Sequence, residues 1–220
     1  MSEIHGLKET AEAGARGAEK FKSIQPETRI TPNEVKHYIG KLFESVGKLF
    51  EAKEVHYVPE KVRYDRTPTL ENKDGKWEGE RGDSKFVPSE ETGRGKDAKE
   101  KLAEYGMDGI EYKNAEPDFF RCAEATVQID HMTEHCYDNF PKADVKCAEE
   151  WNSEKRDGRT NWTREDVKKW REDHNYVWHE RCDMKTMNLI PRPIHECCIH
   201  SGGRAECKAR DAAQAGGKHQ

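Results

Sequence analysis

The sequence predicts an α+β chain with its chemistry gathered in a strand–turn–strand–helix unit near the C-terminus and an amphipathic helical segment ahead of it. Three observations carry this. Residues 176–203 read Y-V-W-H-E-R-C-D-M-K-T-M-N-L-I-P-R-P-I-H-E-C-C-I-H-S-G-G. A short strand ends at Trp178-His179-Glu180, a turn comes next, a second strand runs through Met187 to Ile190, and a short helix carries His195 toward His200. Far upstream, Val35, Tyr38, Ile39, Leu42, Phe43, Val46, Leu49 and Phe50 recur at steps of three and four, the period of a helix with one apolar face. Between them, short strand-like and helix-like runs alternate.

Composition limits the core. The chain has 220 residues, 33% hydrophobic and 37% charged, whereas globular domains average roughly 45–50% apolar and about 25% charged. One compact region beside poorly packed segments is expected, because few apolar side chains repay the ordering entropy of the whole chain. The net charge of −5 argues against a general nucleic-acid coat. The balance is uneven, however: residues 151–220 carry 14 Lys+Arg against 11 Asp+Glu, so the basic excess accompanies the histidines. All seven cysteines lie in the second half with no C-x-x-C, which favours structural or free thiols over a disulfide framework or a zinc ribbon. The N-terminus has no apolar h-region and no 18 apolar residues run together, so neither a Sec-type signal nor a membrane span is expected.

In chain order, residues 1–30 read as a flexible linker, interrupted by Gly14 and Gly17. Residues 31–74 form a helical and connecting segment, opened by Thr31-Pro32-Asn33-Glu34 as N-cap, first-turn proline and capping-box glutamate. Val55 to Val58 and Val62 to Tyr64 read as short strands, and Glu71 to Lys76 as a turn. Gly79, Gly82, Gly93 and Gly95 match no phosphate-loop spacing and read as loop glycines. Lys96 to Tyr105 reads as a helix closed by Gly106. Gly109 to Phe120 reads as a strand and a proline turn. A further helical run covers Ala143 to Trp151, and Thr163 starts another helix with Val167, Trp170 and Trp162 inward. Trp151, Trp162, Trp170 and Trp178 fall close together and read as core rather than as a base-stacking platform.

Phosphodiester hydrolysis needs an activated water and relief of charge on the phosphoryl and leaving oxygens. His179 and Glu180 are neighbours, so on a strand they face opposite ways. Asn188, on the second strand, offers an amide that can bond across the turn. His195 and His200 are five apart, which on a helix separates them by roughly 140°. The helix is therefore expected to end before Ser201-Gly202-Gly203, letting His200 swing back. His131 and His135 have helical i,i+4 spacing and form a reserve metal site, although surface helix residues are the plainer reading.

The block W-H-E-x-x-D-x-x-T-M-N-L-I-P-x-x-I-H-x-x-x-x-H-S-G-G resembles the HNH/endonuclease VII superfamily, in particular the toxin nucleases named for a Trp-His-His signature. The close resemblance covers about residues 176–208 and extends loosely to residues 108–119, which implies a nuclease domain at 75–210 followed by a 211–220 tail. It implies a ββα-metal (HNH, His-Me finger) core related to colicin DNases and one divalent ion, Mg, Mn, Ni or Zn, held largely by histidines. His179 matches the first histidine of the pair, a metal ligand in colicin-like members. Glu180 stands where the second would act as general base. Two assignments stay open: His179 as base, with His195 and His200 on the metal and Glu180 a ligand or orienter, which is preferred, or Glu180 as the base that deprotonates the water. Asn188 matches the middle residue of the HNH name. Arg181, Lys185 and Arg204 are expected to contact substrate, while Asp183 and Glu206 are weaker candidates that read more readily as structural carboxylates. The implied function is a metal-dependent, non-specific DNA endonuclease (RNA being the other substrate), the warhead of an interbacterial toxin with a cognate immunity protein. Such a protein is made in the bacterial cytoplasm and leaves, if exported, by a specialised secretion system. The competing reading is a structural zinc module that binds without cleaving.

Overall fold

The computed structural model describes residues 55–216. The amphipathic helix expected over residues 31–53 and the linker before it lie outside the described residues. The described chain is α+β, with two small antiparallel sheets. The elements are α1 (Glu60–Asp65), β1 (Gly75–Trp77), β2 (Lys85–Pro88), α2 (Gly93–Ala103), β3 (Ile110–Lys113), β4 (Glu116–Pro117), β5 (Ala125–Gln128), α3 (Cys136–Ser153), α4 (Arg164–Asp173), β6 (Tyr176–Glu180), β7 (Thr186–Pro191), α5 (Arg192–Cys197) and α6 (Gly203–Gly216). The first sheet has the order β1-β2-β3-β4 and the second β5-β7-β6.

Several local expectations are corrected. Val62 to Tyr64 lies in helix α1, not a strand. Pro59 sits at the N-cap, Glu60 suits the positive end of the helix dipole, and Lys61 pairs with Asp65 one turn on. Val55 to Val58 is irregular, because the Tyr57 and Val58 amides donate to the Glu206 carboxylate at 2.6 and 2.9 Å instead of to a strand. Helix α2 starts at Gly93, three residues early, with Thr92 Oγ1 accepting from Gly95 N at 3.0 Å. Gly95 has to be glycine there, since a Cβ would stand 2.2 Å from Ser89 O and 2.4 Å from Asp74 O. The turn after β3 is made by Asn114 and Ala115, both at positive φ, and Pro117 lies within β4. Residues 211–216 continue helix α6. Thr163 does begin α4, through a reciprocal capping box with Asp166.

Two apolar clusters lie against the second sheet. Tyr176 and Trp178 of β6 and Met187 and Leu189 of β7 join Trp151, Trp162 and Val167 from the helical side. Trp170 packs on the same cluster, so the four tryptophans are core, with Trp151 ring centroids 4.8 Å from Trp162 and 5.2 Å from Trp170. Val177 and Ile190 join the other cluster with Phe86, Leu102, Ile110, Phe119 and Ile194, which ties the second sheet to the first and to α2 and α5. Both faces of the hairpin are therefore packed, and every residue of β6 and β7 is buried.

The helical side is locked by one carboxylate. Asp144 on α3 accepts from Arg171 Nε at 3.0 Å and Nη2 at 3.2 Å, and from Trp178 Nε1 at 2.7 Å. Asp144 and Arg171 are both buried, so removing one partner strands a charge inside the protein. Asp144→Ala is expected to lower unfolding free energy by about 3–5 kcal/mol, measured by urea denaturation.

Candidate active site

The register of the hairpin decides where the chemistry goes. β6 and β7 are antiparallel with His179 opposite Asn188 and Glu180 opposite Met187. Alternation then puts His179 and Asn188 on the face of Val177 and Ile190, and Glu180 on the face of Trp178 and Leu189. One strand end thus supplies an imidazole to one side and a carboxylate to the other. Pro191 precedes α5, and Ile194 anchors that helix in the cluster on the His179 face while His195 stands beside His179.

Helix α5 ends at Cys197, so His200 lies in the loop beyond it rather than on a fraying last turn, and Gly203 opens α6. The imidazole trio is close. Ring centroids are 4.7 Å apart for His179 and His200, 5.5 Å for His195 and His200, and 5.7 Å for His179 and His195. One nitrogen from each lies within 4.8 Å of the others. Phe119 closes the back with its ring edge-on to His179 at 4.9 Å.

The hydrogen bonds assign a tautomer. His200 Nδ1 lies 2.9 Å from Cys198 O, and a carbonyl only accepts, so Nδ1 carries the proton. The Nε2 lone pair then faces His179 Nδ1 at 3.1 Å. His179 Nε2 is buried without a hydrogen-bond partner among the described residues. Burial pushes the pKa of His179 well below the ordinary value, and electrostatic coupling to His200, His195 and Arg181 acts in the same direction. Burial likewise lowers His195 to about 3, with His200 and Arg192 adding to it, and lowers His200. The result is three neutral imidazoles that each bring a ring nitrogen within 4.8 Å of the others, the donor set that a first-row divalent ion takes.

Glu180 is buried, which raises its carboxyl against the opposing influence of an Asn139 hydrogen bond and of Arg204. Asn139 Nδ2 donates to Glu180 Oε1 at 3.4 Å and to Thr133 O at 2.8 Å, and its Oδ1 accepts from Thr133 N. Glu180 and the three histidines line one open cleft of about 600 Å³, rimmed by Arg66, Arg94 and Arg204.

The other nominated residues are placed differently. Asn188 does not bond across its own hairpin; Nδ2 donates to Thr126 Oγ1 on β5 at 2.9 Å, holding the third strand. Arg181 donates to Glu116 through Nε and Nη2 and lies over Phe120, so its guanidinium braces the turn after β6 against β4. Lys185 is exposed in that turn and, like Arg181, is not among the cleft residues. Asp183 shapes the turn by accepting from Lys185 N and Thr186 N at 3.0 and 2.8 Å. Glu206 is wholly buried and accepts from the 56–58 segment. His131 and His135 share no helix: His131 has φ 53° and His135 is the N-cap of α3. Their i,i+4 spacing therefore brings nothing together, and neither belongs to a ligand group among the described residues.

Sequence reasoning missed Asn139, Arg66 and Arg94. Asn139 is 41 residues from the carboxylate it holds, and the two arginines sit in segments with no motif. Only Phe119 had a signal, in the loosely matching residues 108–119.

Residues 109–202 match the family model for the DNase/tRNase domain of colicin-like bacteriocin. No curated protein matches the chain. The colicin-like stretch opens just before β3 and closes at Gly202, so it holds the three histidines, Glu180 and Asn188. Arg66, Arg94 and Arg204 fall outside it. Among the described residues no helix is long and apolar enough to cross a membrane.

Close backbone approach keeps the loop after α5 in place. A Cβ on Gly202 would stand 2.7 Å from Glu180 O and 3.3 Å from His200 Nε2, and one on Gly203 would stand 2.3 Å from Arg181 O. Gly202→Ala and Gly203→Ala are each expected to destabilise the fold by about 1–3 kcal/mol, read from the denaturant midpoint.

Proposed function

We propose that this chain is a metal-dependent endonuclease of DNA that acts as an interbacterial toxin. The observation that carries it is the trio of neutral imidazoles beside a carboxylate in one open cleft, inside a stretch that matches colicin-like DNase/tRNase domains. His179, His195 and His200 are the metal ligands. An all-nitrogen set suits Zn or Ni better than Mg or Mn, which prefer oxygen. A divalent ion held there supplies charge stabilisation at the phosphoryl and leaving oxygens.

The remaining work falls to the chain's own groups. Because His179 is engaged with the other two imidazoles, Glu180 is assigned as general base, reversing the assignment preferred from sequence. Its carboxylate takes a proton from the attacking water, and Asn139 holds it in orientation. Arg66, Arg94 and Arg204 on the rim bind backbone phosphates without reading bases, which suits non-specific cutting. The same cationic rim fits an acidic immunity protein that covers the cleft in the producing cell.

Supercoiled plasmid incubated with Zn, Ni, Mn or Mg is expected to be nicked, to be protected by chelator, and to survive His179→Ala intact. Equal cutting by wild type and His179→Ala would overturn the proposal, and preferential cutting of structured RNA would move the substrate. Glu180→Gln is expected to keep metal affinity while cleavage falls about 10²–10⁴-fold. Loss of metal affinity in that variant would return Glu180 to the ligand set.

A further inference from the structure

A second group of metal-type donors lies outside the histidine cleft. His56, Cys182 and Glu206 each present a ligand atom within 4.8 Å of the other two. His56 Nδ1 is 3.1 Å from Glu206 Oε1, close to the roughly 3.3–3.7 Å edge of a tetrahedron with metal–ligand bonds of about 2.0–2.3 Å. The three come from distant parts of the chain: the irregular segment before α1, the turn after β6, and α6.

Burial makes the group unusual. Glu206 is 0% and Cys182 2% exposed, and the His56 side chain 16%. His56 is the most exposed of the three. Glu206 accepts from Tyr57 N, Val58 N and His56, and no Lys or Arg among the described residues bonds it. A carboxylate withdrawn from water needs countercharge or a full set of donors. Cys182 is held between Glu116 and Ser201: its amide donates to Glu116 Oε1 at 2.9 Å and its thiol to Ser201 O at 3.2 Å. No other described cysteine shares such a group.

We propose that His56, Cys182 and Glu206 form a second site, for a zinc-class divalent cation, that clamps the segment before α1 onto the nuclease core. The donors are one imidazole, one thiolate and one carboxylate, a set for a borderline-soft ion. On entry of the ion, the Cys182 S–H bond breaks, a Cys182 sulfur–metal bond forms, and one proton passes to solvent. The site is structural: none of its three donors lines the histidine cleft, although the Cys182 thiol bonds the cleft residue Ser201, and its loss loosens the clamp.

Cobalt(II) separates this site from the histidine cleft, because only a thiolate ligand gives an intense sulfur-to-cobalt charge-transfer band in the near ultraviolet. Full-length protein titrated with Co(II) under reducing conditions is expected to show that band and to bind two equivalents. Cys182→Ser should lose the band and one equivalent. The double variant His195→Ala/His200→Ala should lose the other equivalent and keep the band, so this proposal can stand or fall independently of the nuclease reading. His56→Ala, at the partly exposed edge where folding is least at risk, should weaken the cobalt transition carrying the band by at least about tenfold. Absence of the band in wild type, its survival in Cys182→Ser, or unchanged affinity in His56→Ala would each overturn the second site.

Discussion

The constraint on which the rest depends is the burial of both faces of the β6–β7 hairpin. A hairpin with one wet face would leave His179 solvated and protonatable. Here Val177 and Ile190 share its face with Phe119 and Ile194 packed above, so the imidazole is desolvated and held neutral. Neutral imidazoles can converge without repulsion, which lets His195 and His200 close on it.

The same strand explains the division of labour. Alternation sends His179 into one packed layer and Glu180 into the other, where Asn139 on α3 meets it. The helical layer is itself locked through Asp144, Arg171 and Trp178. The tryptophans flanking the hairpin therefore pack α3, which carries Asn139, against the strand that carries Glu180. Glu116 adds a brace from the first sheet by holding Arg181 and the Cys182 amide.

Sequence and structure part company where partners are far apart or where spacing is ambiguous. His195 and His200 have a spacing unsuited to one helix, and the chain solves this by ending α5 at Cys197 and fixing His200 through the Cys198 carbonyl. His131 and His135 have the favourable spacing and come to nothing, because left-handed φ at His131 and an N-cap at His135 replace the helix that spacing assumes. Val62 to Tyr64 alternates like a strand, yet the side chain buried there is Arg63, which donates to the Asn114 carbonyl, a tertiary contact no local pattern encodes.

The sequence by itself determined the α+β class, the hairpin-and-helix unit at 176–197, the tryptophan core and the nomination of three histidines with a carboxylate beside them. Those rest on period, caps and local motif, which act within a few residues. Only the tertiary structure decided that His179 joins the other imidazoles while Glu180 turns to Asn139, that Asn188 serves β5, and that Arg66, Arg94 and Arg204 share one cleft rim. It also decided that Glu206 belongs with His56 and Cys182. The physical reason is that burial, desolvation and ligand geometry are set by which segments pack together, and that packing is a property of the whole core rather than of any stretch of chain.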